Sequence, residues 1–224
     1  MGRFNYESPM IGILTRIVDV VILNVLWLAC SIPIITIGAS TTALYYCMLK
    51  IVRKKDSSIV KMFVHSFGQN LKQGCCLTVI FFASVLFLYV DIQGCRMMDN
   101  TVGNLMKVVL VVLLIVIGFI FSYVFPILAQ FDNTVKNILK NAFFMSITNL
   151  RKTIIIFVLN AIPFVLFFGI PYVFILTVPM WLMFGVAVIV LLNSKMFAEI
   201  FDNYIEEAYN GLKGNVSDEI EAVE

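Results

Sequence analysis

Long apolar runs alternate with short charged stretches along this chain. No charged side chain occurs in residues 20–49 or 153–194, and shorter apolar runs cover residues 75–90 and 108–131. A helix needs about 20 residues to cross a hydrocarbon core of roughly 30 Å. A straight helix over the first run would be about 45 Å long. The pattern therefore predicts membrane-spanning helices, and it predicts that the first run is broken.

The break in the first run is predicted at Pro33 and Gly38. Proline removes a backbone donor, and glycine weakens a helix through its conformational freedom. We expect a helix over about 10–32, a turn through Pro33–Gly38, and a second helix over about 39–53. Residues 39–43 are small, which allows close helix approach in lipid. The prediction is a tightly packed hairpin, although exposed backbone in a substrate path is the other reading of such a break.

The remaining apolar runs complete an all-α, polytopic membrane bundle. One span is predicted over 75–90 and one over 108–131, with a kink at Pro126. Residues 153–194 have room for two spans joined by an outside turn around Pro171–Pro179. The sequence thus predicts about six transmembrane helices, with five possible. We divide it into one transmembrane domain, 1–203, and an amphipathic end with an acidic tail, 204–224.

Charge sets the predicted orientation. Only 13% of residues are charged while 61% are hydrophobic, which excludes a water-soluble globule. Cations concentrate in 50–72 and 130–152, and short basic loops stay in the cytoplasm. Each of these segments also has helical apolar periodicity, which predicts two basic interfacial helices. Both termini are expected in the cytoplasm, with Gly211 and Gly214 ending the last helix before a disordered tail.

Candidate catalytic chemistry is sparse. The sequence has one histidine, His65, no phosphate-binding glycine loop and no metal-ligand spacing. We therefore predict no enzyme activity, no cofactor, no metal and no nucleic-acid binding. The five cysteines are expected to be packing residues. Arg16 and Asp19 are spaced to form an ion pair, and the polar residues Asn24, Thr36, Asn160 and Asn193 are expected to bond between helices.

The two basic segments provide candidate docking cations. Lipid headgroups or a protein partner are the expected counter-charges. The candidates are Arg53, Lys54, Lys55, Lys61, Lys136 and Lys140. The sequence Asn70-Leu71-Lys72 before one span echoes Asn149-Leu150-Arg151 before another. Two explanations of this similarity stay open: an internal repeat, or chance, because asparagine followed by a cation is common at membrane boundaries.

Several short motifs together resemble a known family. They are 23–27 (LNVLW), 31–39 (SIPIITIGA), 43–46 (ALYY), 70–73 (NLKQ), 126–132 (PILAQFD), Asn141-Ala142 and Asn149. Over most of the chain up to about Asn203 it is similar to the YesL-like multi-pass membrane proteins of Gram-positive bacteria, whose molecular activity is not established. Candidate structural or functional residues are Asn24, Pro33, Thr36, Gly38, Asn70, Pro126, Asp132 and Asn149.

The resemblance implies a place in the bacterial cell membrane and a link to carbohydrate uptake of the ABC type. Because the chain has no nucleotide-binding motif, that link would run through ABC transporter subunits or another membrane protein as partner. The resulting hypothesis is an accessory or regulatory membrane protein. The alternative is a small-solute transporter whose path uses Pro33–Gly38. Substrate, partner identity and oligomeric state stay open at this point.

Overall fold

The structure, a computed structural model, describes residues 9–54, 58–98 and 100–221, with only the backbone for 9–11, 13, 174, 207–208 and 211–221. These residues form eight α-helices and two short irregular helices, and contain no strand. The helices are α1 Pro9–Cys30, α2 Ile37–Val52, α3 Ile59–Arg96, α4 Thr101–Gln130, α5 Val135–Thr148, α6 Leu150–Gly169, α7 Pro171–Met180 and α8 Val186–Glu221. A 3-10 turn, Ile34–Thr36, precedes α2, and a π-helical turn, Trp181–Gly185, joins α7 to α8.

The predicted fold class, an all-α bundle of membrane helices, is confirmed. Five helical segments of the described chain are long and apolar enough to cross a membrane: 34–52, 59–96, 101–130, 150–169 and 171–206. They correspond to α2, α3, α4, α6, and α7 continued into α8. Helix α1 has 22 residues, about the length that a span requires. The chain is therefore a multi-pass bundle of at least five candidate spans.

Helix α2 lies at the centre of the bundle. Ten of its 16 residues are buried, and Ala39, Ala43 and Leu44 have no exposed surface. Its start lies directly against α3, because a Cβ on Gly38 would lie 2.5 Å from the Gly74 carbonyl oxygen. Small residues allow this close approach. In lipid, the hydrophobic effect does not drive helices together, so close van der Waals packing must stabilise their association. The predicted tight packing of the segment after the break is confirmed.

The first basic segment is not a separate surface helix, which corrects the prediction. It forms the first turns of α3, which continues without a break for 38 residues, or about 57 Å. Lys72 and Gly74 interrupt the apolar pattern without ending the helix. Gly74 is needed for contact, since a Cβ there would lie 2.6 Å from the Ala39 nitrogen. The predicted end at residue 90 was also early, because α3 runs to Arg96.

The second basic segment does form its own helix, α5, as predicted, while its place at the membrane surface stays a prediction. Its residues Ile138, Ala142 and Met145 are buried, and its apolar face belongs to the same core as α2 and α4. Helix α5 ends at Thr148, and Asn149 separates it from α6. The helix thus packs under the bundle rather than on lipid alone.

Several prolines and two glycines, all expected to bend or end helices, lie inside helices in the structure. Pro126 lies inside α4, which continues to Gln130. The predicted turn around Pro171–Pro179 is wrong, because these residues lie in α7. Only Ile170 separates α6 from α7, and Pro171 occupies the first turn of α7, where its missing N–H costs nothing. Helix α8 continues to Glu221, so Gly211 and Gly214 do not end it. The predicted disordered tail is helical as far as the structure describes it.

Candidate functional site

Asn24 of α1 is a buried polar side chain with three hydrogen bonds to backbone groups far away in sequence. It has no exposed surface. Its Nδ2 donates to the carbonyl oxygens of Leu182 at 2.8 Å and Trp181 at 3.2 Å. The backbone N–H of Ala187 donates to its Oδ1 at 2.9 Å. We call these bonds the Asn24 bridge; they join the first helix to the last.

The Asn24 bridge satisfies the backbone of the π-helical turn. A π turn leaves backbone groups without their usual α-helical partners, and in lipid such groups must be paired within the protein. The Trp181 ring fills the space beside Gly185, where any side chain would clash with it. The predicted interhelical bonding by Asn24 is confirmed. The π turn was missed, because only its partner on α1 makes it stable.

The Pro33–Gly38 break is closed by hydrogen bonds. The Thr36 hydroxyl lies 2.7 Å from the carbonyl oxygens of both Cys30 and Pro33. The backbone N–H of Gly38 donates to Thr78 Oγ1 of α3 at 3.0 Å. Pro33 itself is exposed. The break is therefore a packed turn between α1 and α2, which is the reading that the small residues after it favoured.

Hydrogen bonds between α1 and α2 also stabilise the hairpin on either side of the break. Trp27 Nε1 donates to Thr41 Oγ1 at 3.1 Å, and the Ser40 hydroxyl donates to the Trp27 carbonyl oxygen at 2.9 Å. Ser40 is buried without exposed surface. The polar residues of this segment are thus engaged by α1 and α3 rather than turned toward an open path.

A second buried polar group lies between α2, α6 and α8. Asn193 Nδ2 donates to Asn160 Oδ1 at 2.8 Å and approaches the Tyr45 hydroxyl at 3.4 Å. The predicted interhelical use of Asn160 and Asn193 is confirmed. Tyr45 was not predicted as their partner, since tyrosine in an apolar run gives no sign of where its hydroxyl points.

Arg53 ties three helices together where α2 ends. Its guanidinium donates to Gln130 Oε1 at the end of α4 at 2.8 Å and to Asp202 Oδ1 of α8 at 2.7 Å. We call this end of the bundle, which also carries Lys54, Lys61, Lys136 and Lys140, the basic end. Arg53 was predicted as a docking cation. The structure places it in an ion pair with Asp202, and its role as a docking cation stays a prediction.

A polar pocket of about 570 Å³ lies beside this tie, between the first half of α3 and the end of α4. It brings together Asn70 and Asp132, two of the predicted candidates. Gln69, Gln73, Asn133 and Thr134 complete its polar wall, and Gln73 Nε2 donates to the Asn133 carbonyl oxygen at 3.1 Å. These neighbours were missed, because glutamine and asparagine outside membrane runs are common on surfaces.

The two Asn-Leu-cation echoes have different surroundings. Asn70 lies inside α3 and donates to the Ser66 carbonyl oxygen at 2.9 Å. Asn149 donates to the Met145 carbonyl oxygen at 3.2 Å, but it ends α5. The same local hydrogen bond therefore accompanies a continuous helix in one half and a helix break in the other. Asn149 lies outside the polar pocket.

The remaining docking candidates lie on the surface of the basic end. Lys54, Lys61, Lys136 and Lys140 are exposed, while Lys55 falls outside the described residues. The part of the chain that the structure describes contains no carboxylate in ion-pair contact with these four lysines. By contrast, Lys152 binds Glu199 at 2.8 Å.

Catalytic and metal chemistry finds little support in the geometry. The described residues hold no group of three or more His, Cys, Asp or Glu side chains that could bind a metal ion. All five cysteines are free. Arg16 and Asp19 approach at 3.8 Å, so the predicted ion pair is confirmed.

Fold and polar contacts together define a multi-pass helical membrane protein with a closed, internally bonded core. Residues 20–92 match the family described as "Protein of unknown function, DUF624". The chain is also 25% identical over 168 residues to the "Uncharacterized protein YesL" of Bacillus subtilis (strain 168), which covers 69% of this chain and 79% of that protein. No solved structure matches it. These findings confirm the resemblance to a YesL-like family of unknown function.

Proposed function

We propose that the protein is a non-catalytic accessory subunit that binds a partner membrane protein at the basic end of its bundle. The observation that carries this proposal is the set of exposed cations Lys61, Lys136 and Lys140, which lack ion-pair partners among the described residues. They come from two helices, α3 and α5, that share one core. Such a surface fits an acidic partner, since uncompensated rim charges steer association.

The polar pocket supports the same proposal. It lies at the basic end and offers the side-chain amides of Gln69, Asn70 and Gln73 together with the carboxylate of Asp132. Amides both donate and accept hydrogen bonds. The pocket could therefore bind the backbone of a partner segment whose acidic residues contact the lysines.

Orientation follows from the positive-inside rule. The basic end holds the clustered lysines, whereas Arg96 and Lys107 lie at the opposite end with Asp91 near them in sequence. We place the basic end in the cytoplasm and the protein in the bacterial cell membrane. The partner class proposed from the family resemblance is the permease subunit of an ABC-type carbohydrate uptake system.

The test is recovery of permease subunits with the protein from its native membranes, quantified by mass spectrometry. We expect Lys136→Glu with Lys140→Glu to reduce that recovery at least fivefold. The matched control, Arg96→Glu with Lys107→Glu, makes the same charge change at the opposite end and should retain the partner. Equal recovery with both double variants, or none with the wild-type protein, would contradict the docking proposal.

Transport by the protein alone is the competing function. Its proposed path used the Pro33–Gly38 break, where Thr36 and Gly38 are engaged in hydrogen bonds within the bundle. This disfavours a path there. Flux of labelled sugars into liposomes that contain only this protein would nevertheless establish transport and replace the accessory proposal.

A further inference from the structure

A second, larger groove lies on the other side of the bundle, between α1, the end of α2 and α8. Its volume is about 1060 Å³. Most of its wall is aliphatic or aromatic, with Ile17, Val21, Phe184 and Val188 among the lining residues. Lys54, Lys195 and Arg16 are the charged residues that line it. The groove is thus apolar with cations, which is the chemistry that an anionic amphiphile requires.

The Asn24 bridge lies beyond one end of the groove, near the start of α8. It ties α1 to residues 181, 182 and 187. Toward the N-terminus of α1, the groove separates Gly12 and Arg16 from α8. No atom lies within 4 Å of a Cβ placed on Gly12. The two helices are therefore joined at one end of the groove and apart along the rest of it.

The length of the groove matches one leaflet of a bilayer. From Phe184 in the π-helical turn to Lys195 in α8, it extends for about 16 Å at 1.5 Å per residue. The hydrocarbon core of a bilayer is roughly 30 Å thick, so one leaflet is about half of that. We therefore expect the apolar end of the groove near the membrane midplane and the lysines at the headgroup level.

The lysines are placed for an anionic headgroup. Lys54 and Lys195 are exposed and have no ion-pair partner in the described part of the chain. Lys54 has a φ of 54°, a left-handed conformation that is uncommon outside glycine and asparagine. Helices commonly end on a residue in this conformation, and the Lys54 N–H donates to the Ile51 carbonyl oxygen of α2 at 3.0 Å, which fixes the position of Lys54 at the end of the helix. Arg16 is already paired with Asp19, so the two lysines provide the uncompensated charge.

We propose that this groove binds one anionic phospholipid, with an acyl chain along α8 and its phosphate between Lys54 and Lys195. The bilayer itself supplies the ligand, and the site lies within one leaflet. This inference does not depend on the proposed partner. The lipid would fill the space between α1 and α8 and hold α1 in place.

The test titrates the purified protein in detergent with dioleoylphosphatidylglycerol or dioleoylphosphatidylcholine and counts bound lipids by native mass spectrometry. We expect one phosphatidylglycerol to be retained in preference to phosphatidylcholine. Lys54→Gln with Lys195→Gln should weaken this binding about thirtyfold, since each cation near a lipid surface contributes about a fivefold factor. Arg96→Gln with Lys107→Gln, at the opposite end, should leave it unchanged.

A second pair of variants tests the apolar part of the groove. Gly12→Phe fills the groove and should abolish retention of the lipid. Gly68→Phe is the matched control, because a Cβ on Gly68 also has no atom within 4 Å but lies on α3, away from the groove. Circular dichroism checks that each variant folds. Equal retention of both lipids, no effect of the lysine pair, or a dimer that Gly12→Phe disrupts would overturn the proposal.

Discussion

Removing the Asn24 bridge should destabilise the whole bundle. Asn24→Leu keeps a side chain of similar volume but loses the bonds to Trp181, Leu182 and Ala187. Interhelical hydrogen bonds in membranes contribute about 0.6 kcal/mol on average and up to about 1.7 kcal/mol. Leaving a buried backbone group unsatisfied costs about 1–3 kcal/mol. We therefore expect the free energy of unfolding to fall by about 2–4 kcal/mol.

The assay is unfolding in detergent micelles by titration with sodium dodecyl sulfate, followed by far-ultraviolet circular dichroism. Asn104→Leu provides the control, since Asn104 is exposed on α4 and surface substitutions usually change stability by less than about 0.5 kcal/mol. Asn24→Ala should be at least as destabilised as Asn24→Leu. The reasoning is refuted if Asn24→Leu unfolds at the same detergent fraction as the wild-type protein, because the π turn would then need no partner.

Three further predictions concern the packing, the ion pair and the topology. Gly38→Ala should lower the free energy of unfolding by about 1–3 kcal/mol through overpacking, because its Cβ would lie 2.5 Å from the Gly74 carbonyl oxygen. Thermal unfolding checks this prediction, with Gly68→Ala as the control that should be tolerated. A double-mutant cycle of Arg53→Met and Asp202→Asn, measured by the free energy of unfolding, should give a coupling energy of at most about 1 kcal/mol that falls in high salt. The reason is that the Asp202 side chain is 62% exposed. A coupling energy that does not change with salt would contradict this. In a cysteine-free background, Ser58→Cys should react with a membrane-impermeant reagent only from the cytoplasm and Asn100→Cys only from outside; labelling of both from one side would show that α3 does not cross.

Features set by local sequence were predictable. Pro33 and Gly38 interrupt an otherwise continuous apolar run, and both act on the backbone of their own segment. Four of the five small residues at 39–43 are buried as expected, and Thr41 is partly buried. Helix α5 was predictable as well, because its apolar face repeats at helical spacing and the break at Asn149 follows its last turn.

Features that depend on distant residues were not predictable. Arg53 lies among lysines in sequence, yet its partner Asp202 is 149 residues away. Continuity of α3 also depends on tertiary contact, since Gly74 reads as a helix start until Ala39 is seen to pack on it. Asn70 and Asp132 were both candidates, but only the meeting of α3 with the end of α4 places them in one pocket.

The Asn24 bridge also constrains the order in which the protein can be assembled. Helix α1 is synthesised first, while its partners Trp181 and Leu182 follow 157 and 158 residues later. During translation, the amide of Asn24 must therefore reside in the membrane or at its surface without its final ligands. Closure of a contact this distant in sequence is slow in general. A nascent chain released before residue 187 could not reach the native arrangement. Helix α1 therefore gains its native hydrogen bonds only after the start of the last helix has been synthesised.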